Sequence, residues 1–365
     1  MSAPPLDRQF TIGLARLREN FLNHAELIFG RVLAASPDHP QAQRYLGVTL
    51  CKLGRGEEGL ALLRAVATRT PRDAGVQADL AAALAGPGAA FTSDHATHDF
   101  KTIDYSYRAA IRYGAGKPAH PELAALIAAG AARYADVLAG IARIAHDFDD
   151  IALGGTYDTA TPFWLNTWFP PLDGLVLTEM LRAHDPARFV EIGSGVSTKF
   201  ARRAVTRYGL RAHLTSIDPQ PRNEIDALCD EVIRSPLEDC DLDLFQTLTA
   251  GDILFLDSSH RAFQGSDVTV FFLEILPRLA PGVIVQVHDI YLPDDYIAGH
   301  VGRLWNEQYL LATALLFGGD AFQVMFPSWY VGQDPTLRAQ ALAALAGGPL
   351  ATLNPYGASF WFRKT

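Results

Sequence analysis

The sequence has 365 residues, of which 49% are hydrophobic and 19% are charged. This length exceeds one typical hydrophobic core and the composition is globular, so we expect two folded domains and exclude an intrinsically disordered chain. The formal net charge of −9 argues against a nucleic-acid-binding surface. The three cysteines lack a Cys-x-x-Cys spacing, which argues against a cysteine zinc site and suits a reducing compartment.

The first ninety residues contain a repeat with a period of 34 residues. Ser36-Pro37-Asp38 recurs as Thr70-Pro71-Arg72, and apolar residues recur at the same offset, as at Ile12, Leu46 and Leu80. This period resembles that of tetratricopeptide repeats. The resemblance implies an all-α tetratricopeptide-like helical domain over residues 1–90, with two full helix pairs and part of a third. Such repeats would bind a protein partner or mediate self-association, or they would only support the next domain.

Residues 91–160 are predicted to form a helical connector, which begins after the breaker Gly86-Pro87-Gly88. Its polar first part contains His95 and His98, whose spacing could suit a metal on a helix, but a solvated pair is the simpler interpretation. Pro121 opens an amphipathic helix predicted over residues 121–146, whose charged residues argue against a membrane span. The N-terminus has no apolar core of a signal peptide, so we expect a cytoplasmic protein with no membrane partner.

An aromatic segment precedes the central motif of the chain. Trp164, Asn166 and Trp168 lie just before a helix predicted over residues 174–184. Aromatic surface with a few polar groups is typical of ligand pockets. The alternative is that Trp164 only joins the domains through hydrophobic contacts.

The central motif is a short apolar strand around Phe189 and Val190, followed by the turn Gly193-Ser194-Gly195 and then a helix. Glycines allow a tight turn and a close approach of a ligand to the backbone. A second predicted strand ends at Asp218, where a ribose-binding acid is expected. This layout is typical of a nucleotide-type site at the carboxyl end of a parallel strand, although an ordinary turn without a ligand would share it.

Two details distinguish this turn from a dinucleotide-binding turn. Thr198 stands where the third glycine of that pattern is expected, and Glu191 would be unfavourable beside a pyrophosphate. A carboxylate suits a ligand with an ammonium group, so an NAD-dependent oxidoreductase is a distant alternative. The stretch resembles the first motif of class I SAM-dependent methyltransferases, where the segment before this strand often covers the methionine end of SAM. The resemblance implies that S-adenosylmethionine is the cofactor and that it is bound by Glu191, Gly193, Ser194, Gly195 and Asp218.

Five more strands are predicted to alternate with helices. The strands cover residues 231–235, 251–256, 283–287, 321–326 and 359–363, with helices at 268–279 and 301–316. Alternation predicts the α/β class, and the resemblance implies a doubly wound, seven-stranded Rossmann-like methyltransferase domain over residues 161–365, with the last strand antiparallel. In that layout Leu237 and Glu238 lie near the adenine.

Asp257, His260, His288 and Asp289 follow the fourth and fifth predicted strands, so they should meet in one cleft. Two carboxylates and an imidazole there suggest a divalent-metal site. Oxygen-rich ligation favours Mg²⁺, with Mn²⁺ or Fe²⁺ as alternatives. The other interpretation is that Asp257 and Asp289 only cap helices.

The spacing of these four residues resembles that of metal-dependent sugar O-methyltransferases of macrolide biosynthesis and their cephalosporin-hydroxylase-like relatives. The resemblance implies that Asp257 and Asp289 are metal ligands and that His260 is the catalytic base, acting beside Asp257. His288, a third candidate ligand, stands where the family has an acidic residue. We therefore expect O-methylation of a small molecule or sugar. The alternatives are a metal-independent N- or O-methyltransferase acting on a protein partner, and a non-catalytic scaffold.

Overall fold

The computed structural model describes residues 6–18, 21–86, 91, 109–221, 225–346 and 348–365. They form two compact units, residues 6–91 and residues 109–365. The His95–His98 pair lies outside the described residues. The predicted boundaries at residues 90 and 160 stay a prediction.

Five helices follow one another in the described residues of the first unit. They are α1 (Leu6–Arg18), α2 (Leu22–Ala35), α3 (Pro40–Lys52), α4 (Gly56–Arg69) and α5 (Ala74–Ala85). The first residues of α1, α3 and α5 are 34 positions apart, as are those of α2 and α4, so the sequence period corresponds to one helix pair. A Cβ atom on Gly59 would lie 2.5 Å from the carbonyl oxygen of Gly47, which explains the small residues where α3 and α4 meet. The prediction of a helical N-terminal region is confirmed.

The second unit begins with two helices, α6 (Pro121–Ala128) and α7 (Ala131–Arg143), which are bent by 55° relative to each other. The prediction of one helix over residues 121–146 is therefore wrong. The break lies at Gly130, where a Cβ atom would come within 2.2 Å of the hydroxyl oxygen of Tyr134. That hydroxyl donates to the carbonyl of Ile127 at 2.7 Å and stabilises the bend.

Among the described residues, no single helix is long and apolar enough to cross a membrane. The bent pair α6 and α7 reaches the required length and composition only when the two helices are taken together.

A seven-stranded sheet forms the centre of the second unit. Its strands are β1 (Arg188–Ile192), β2 (His213–Ile217), β3 (Glu231–Ile233), β4 (Ile253–Leu256), β5 (Ile284–Val287), β6 (Phe322–Pro327) and β7 (Phe360–Lys364). The order across the sheet is β3-β2-β1-β4-β5-β7-β6. The first five strands are parallel, and β7 is antiparallel to both β5 and β6. The structure confirms a mixed α/β fold with an antiparallel last strand.

Besides short 3-10 turns, nine further α- or π-helical segments accompany the sheet among the described residues. They include α8 (Pro171–His184), α9 (Val196–Tyr208), α10 (Asp243–Gln246), α11 (Asp267–Val270), α12 (Ala298–Val301), α13 (Glu307–Phe317), α14 (Ser328–Gln333) and α15 (Pro335–Ala344). The ninth is a π-helical turn, Phe271–Ile275, that extends α11. Helix α7 packs between α15 and α8, and α8 packs on α9. One hydrophobic core contains side chains of α6, α7, α8, α9 and the sheet.

The predicted helix over residues 301–316 is wrong at its start, because the chain leaves the helical path after α12 and re-enters it only at Glu307. Asn306 explains this start. Its backbone N–H donates to the carbonyl of His260 at 2.9 Å, and its side-chain oxygen accepts from the N–H of Ala262 at 2.6 Å. The segment before α13 is therefore fixed to the loop after β4.

Candidate active site

The glycine turn follows β1 and lies between the carboxyl ends of β2 and β4. Gly193 has a φ of +80°, and its N–H donates to the carbonyl of Ile217 at 2.9 Å. A Cβ atom at this position would lie 1.7 Å from the carbonyl oxygen of Asp257. Both the left-handed backbone and the lack of space therefore require glycine.

Asp218, at the end of β2, holds this turn in place. One carboxylate oxygen accepts from the N–H of Ser194 at 2.9 Å, and the other accepts from the N–H of Gln220 at 2.7 Å. The hydroxyl of Ser194 is hydrogen-bonded to that of Ser216 at 2.7 Å. A carboxylate has about four lone-pair positions, so Asp218 keeps acceptor capacity for a ligand hydroxyl.

Glu191 is buried beneath the turn. Its carboxylate oxygens accept hydrogen bonds from the hydroxyls of Ser197 and Thr198, in the first turn of α9. Burial raises the pKa of Glu191 to about 7, although the two hydroxyl donors act in the opposite direction. The structure thus places Glu191 as a support of the turn, and direct contact with a cofactor stays a prediction.

A cavity of about 410 Å³ lies over the turn. This volume is in the range of small-molecule sites. Its walls include six of the seven predicted cofactor residues, which are Gly193, Ser194, Gly195, Asp218, Leu237 and Glu238. Glu191 does not line it, whereas Asp257 does. The cavity therefore connects the predicted cofactor edge with the first predicted metal ligand.

The aromatic segment before α8 contributes one wall of the cavity. Trp168 and Phe169 line it, and the side-chain oxygen of Asn166 accepts from their N–H groups at 3.1 and 2.7 Å. Trp164 is buried in the core of the second unit, with its ring 5.2 Å from that of Phe200. The two tryptophans thus have different roles, one at the cavity and one in the core.

Lys199 fixes this segment to α9. Its side chain is buried, and Nζ donates to the carbonyl oxygen of Tyr157 at 2.8 Å. Burial lowers the pKa of Lys199 to about 8, and the charge of Asp158 opposes this shift. Few lysines are fully buried, so this one marks a specific attachment of the segment.

Asp257, His288 and Asp289 lie together at the ends of β4 and β5. One potential ligand atom from each lies within 4.8 Å of the others. Nδ1 of His288 is 3.7 Å from Oδ1 of Asp257 and 3.8 Å from Oδ1 of Asp289. Asp289 has a φ of +56°, an unusual backbone conformation for a residue other than glycine. The donor set can hold a divalent cation.

His288 is fully enclosed, and its two ring nitrogens have different surroundings. Nε2 lies 3.2 Å from Oδ2 of Asp173, while Nδ1 has no hydrogen-bond partner within the described part of the chain. Burial lowers the pKa of His288, but the charges of Asp257 and Asp289 and the bond to Asp173 outweigh it and raise the pKa well above its ordinary value.

His260 faces the same two carboxylates from the loop after β4. Its Nε2 is 3.5 Å from Oδ1 of Asp257 and 3.6 Å from Oδ2 of Asp289, and its Nδ1 is hydrogen-bonded to Glu307. Burial lowers the pKa of His260, but Glu307, Asp289 and Asp257 together raise it to about 9.

Sequence reasoning missed two residues that hold the histidines, Asp173 and Glu307. Each lies in the first turn of a helix, where acidic residues are common because they complement the helix dipole. Asp173 is 115 positions from His288, and Glu307 is 47 positions from His260. Nothing local in the sequence distinguishes them from ordinary first-turn acids.

Residues 190–290 match the model of a family described as a methyltransferase domain. Comparison with curated proteins gave no match. Among solved structures, the chain is similar to an O-GlcNAc transferase mutant from Thermobaculum terrenum, at 13% identity and a TM-score of 0.21, over 70% of this chain and 46% of that one. The chain thus spans under half the length of that structure. The family match contains every predicted site residue.

Proposed function

We propose that this chain, whose residues 190–290 match a methyltransferase domain, is a SAM-dependent methyltransferase that methylates a hydroxyl oxygen of a small molecule or sugar with the help of a divalent cation. The main support for this proposal is that the glycine turn and the cluster of Asp257, His288 and Asp289 lie at the same edge of the sheet. Asp257 lines the cofactor cavity and belongs to the cluster as well. The strand order, with β7 antiparallel, supports a doubly wound, Rossmann-like domain of the class I branch.

In this proposal the 410 Å³ cavity takes S-adenosylmethionine. Asp218 accepts hydrogen bonds from the ribose hydroxyls, and the Gly193–Gly195 turn lets the ligand approach the backbone closely. Leu237, which is buried, and Glu238 border the adenine. Methyl transfer is an in-line displacement that depends mainly on orientation, and the walls that Asn166 and Lys199 hold in place provide it.

The residues fit a cation. Nδ1 of His288 is a buried ring nitrogen that lacks a hydrogen-bond partner among the described residues and is directed at two carboxylates, and buried polar atoms rarely remain unsatisfied. Asp257, His288 and Asp289 would hold the ion. A bound cation would lower the pKa of the acceptor hydroxyl.

His260 is the proposed base. Glu307 holds Nδ1, so that Nε2 is directed toward the carboxylates where the acceptor hydroxyl would lie. A buried acid that is bonded to one ring nitrogen of a histidine orients the other nitrogen toward the group that it deprotonates. The carboxylates of Asp257 and Asp289 raise the pKa of His260. A bound cation would be held by the same two carboxylates.

Aromatic rings near the cluster support a small-molecule or sugar acceptor. The ring of Trp305, which is partly exposed, lies 4.3 Å from that of His260. Aromatic faces with a few polar groups suit such ligands.

The helical first unit supports a second candidate, the methylation of a protein partner. We propose that the 34-residue helix pairs are tetratricopeptide-like repeats that bind a partner or a second copy of the chain.

The thiols of Cys51, Cys229 and Cys240 form no disulfide, which supports a reducing, cytoplasmic location.

The proposal is tested by methyl transfer from labelled SAM to a panel of sugars and hydroxylated small molecules. We expect product formation that is lost in EDTA and in Asp257→Asn, with SAM affinity changed less than about threefold. Asp243→Asn, an exposed residue of α10, is the control and should behave as the wild type. Full activity of Asp257→Asn would exclude the cation role, and a protein substrate as the only acceptor would favour the second candidate.

A further inference from the structure

We propose that the cluster selects a first-row transition cation such as Mn²⁺, Fe²⁺ or Co²⁺ over Mg²⁺, and that Asp173 is the positioning residue that makes His288 its nitrogen ligand. This inference rests on the cation site of the proposed function. It replaces the expectation of Mg²⁺ that an oxygen-rich site would justify.

The first observation is the state of the His288 ring. The side chain is 1% exposed, and Nδ1 has no hydrogen-bond partner among the residues described. Its neighbours at 3.7 and 3.8 Å are the carboxylate oxygens of Asp257 and Asp289. Ligand atoms that share one ion at about 2.1 Å each stand roughly 3.0 to 3.4 Å apart, so the three donors, which lie within 4.8 Å of one another, would have to move closer together around an ion.

The second observation is the rigidity of Asp173. Its carboxylate accepts from the N–H groups of Ala358 at 2.8 Å and Ser359 at 3.0 Å, in addition to facing Nε2 of His288. A Cβ atom on Gly357 would lie 2.4 Å from Oδ1 of Asp173, so the chain packs closely around this group.

Asp173 thereby determines which ring nitrogen is available. An acid that accepts from Nε2–H leaves the lone pair on Nδ1, toward the cluster. Carboxylates in this position behind metal-binding histidines fix the tautomer and increase ligand basicity. Asp173 acts through His288 and does not itself reach the ion.

The ligand chemistry then separates the cations. Mg²⁺ binds oxygen ligands and water in near-ideal octahedral geometry, whereas imidazole suits iron and other transition ions. Two carboxylates and one imidazole form a mixed donor set, in which replacing the nitrogen by oxygen should shift the preference toward Mg²⁺.

The test uses the full chain after removal of metal with a chelator, titrated separately with MnCl₂ and MgCl₂ by calorimetry and with CoCl₂ by visible absorption. We expect Mn²⁺ to bind at least about tenfold more tightly than Mg²⁺, and Co²⁺ to show ligand-field bands. In His288→Asp the ratio of the two affinities should fall by about tenfold. In Asp173→Asn the Mn²⁺ affinity should fall about 10- to 100-fold. Asp243→Asn, an exposed residue of α10, is the control and should leave both affinities unchanged.

The inference is overturned if wild-type protein binds Mg²⁺ as tightly as Mn²⁺, or if His288→Asp keeps the wild-type ratio. These readouts do not depend on Asp173→Asn being folded. Binding of no cation at all, with SAM binding intact, would overturn both this inference and the cation role in the proposed function. If the protein binds cations with the predicted preference but transfers no methyl group, this inference stands and only the proposed function is contradicted.

Discussion

Glu191, Ser197 and Thr198 form a buried hydrogen-bonded group at the start of α9. The carboxyl is 1% exposed and supports the turn from below. Since burial disfavours the charged form, this group makes the stability of the second unit depend on pH.

We predict that Glu191→Gln abolishes a pH dependence of stability. The pKa of Glu191 is raised from an ordinary value of 4.5 to about 7 in the folded protein, so the folded state binds more protons than the unfolded chain between these values. The contribution of Glu191 to the free energy of unfolding should therefore fall as the pH rises from 4.5 to 7, by roughly 3 kcal/mol, and stay level above 7. Glutamine does not ionise, so its curve should lack this fall.

Urea unfolding at pH 5, 6, 7 and 8 measures the difference between the two proteins. Glu238→Gln changes an exposed residue of the same cavity edge and serves as the control, with a curve parallel to that of the wild type. Parallel curves for wild type and Glu191→Gln would contradict the placement of Glu191 as a buried acid.

The individual residues differ in how far sequence predicts them. Gly193 and Asp218 were predictable because a tight turn and the acid after the next strand form a pattern within about 25 residues. The grouping of Asp257, His288 and Asp289 followed from the rule that the carboxyl ends of parallel strands share an edge. Asp173 and Glu307 were not predictable, since their roles depend on tertiary contacts across 115 and 47 positions.

Among the elements, the segment from Ile151 to Phe169 forms one wall of the cavity over the glycine turn. It has little regular structure, and it is held by Lys199 on α9 and by the side chain of Asn166. Trp168 and Phe169, the last two residues of this segment, line the cavity. Loops held by a few specific bonds lose their order when those bonds are removed.

We predict that Lys199→Met weakens SAM binding by roughly tenfold. Methionine keeps the apolar length of the side chain but cannot donate to Tyr157, and a hydrogen bond from a charged group contributes about 1.5–3 kcal/mol. The dissociation constant of SAM and the rate of proteolysis between residues 151 and 169 measure the effect.

Lys117→Met is a matched control, because it removes a lysine bond to the carbonyl of Ile111 in an exposed segment. Equal SAM affinity and equal protease resistance in the two variants would show that Lys199 does not hold the cavity wall.

The central strands β4 and β5 were predicted well because each is a short, largely apolar run, and burial on both faces requires such a run. The helix breaks were not predicted. Gly130 interrupts an apolar pattern that continues across the bend, and the start of α13 depends on the bonds of Asn306 to the loop after β4. Periodicity shows which face of a helix is apolar, but not where tertiary bonds end it.

For the whole molecule, the helical repeats and the sheet unit are separate compact units with separate cores. The repeat period predicted the helix pairs of the first unit because each pair repeats the same contacts. The second unit contains all the residues that we assign to chemistry. Its cofactor edge is therefore expected to bind SAM without any cation or acceptor.

Calorimetric titration of the full chain with SAM, in the presence of EDTA and without an acceptor, measures this binding directly. We predict one site per chain, competition by S-adenosylhomocysteine, and an affinity at least about tenfold weaker in Asp218→Asn, which loses the charged acceptor for the ribose hydroxyls. Asp243→Asn should bind as the wild type does. Absence of both binding heat and thermal stabilisation by SAM in the wild-type protein would contradict the account.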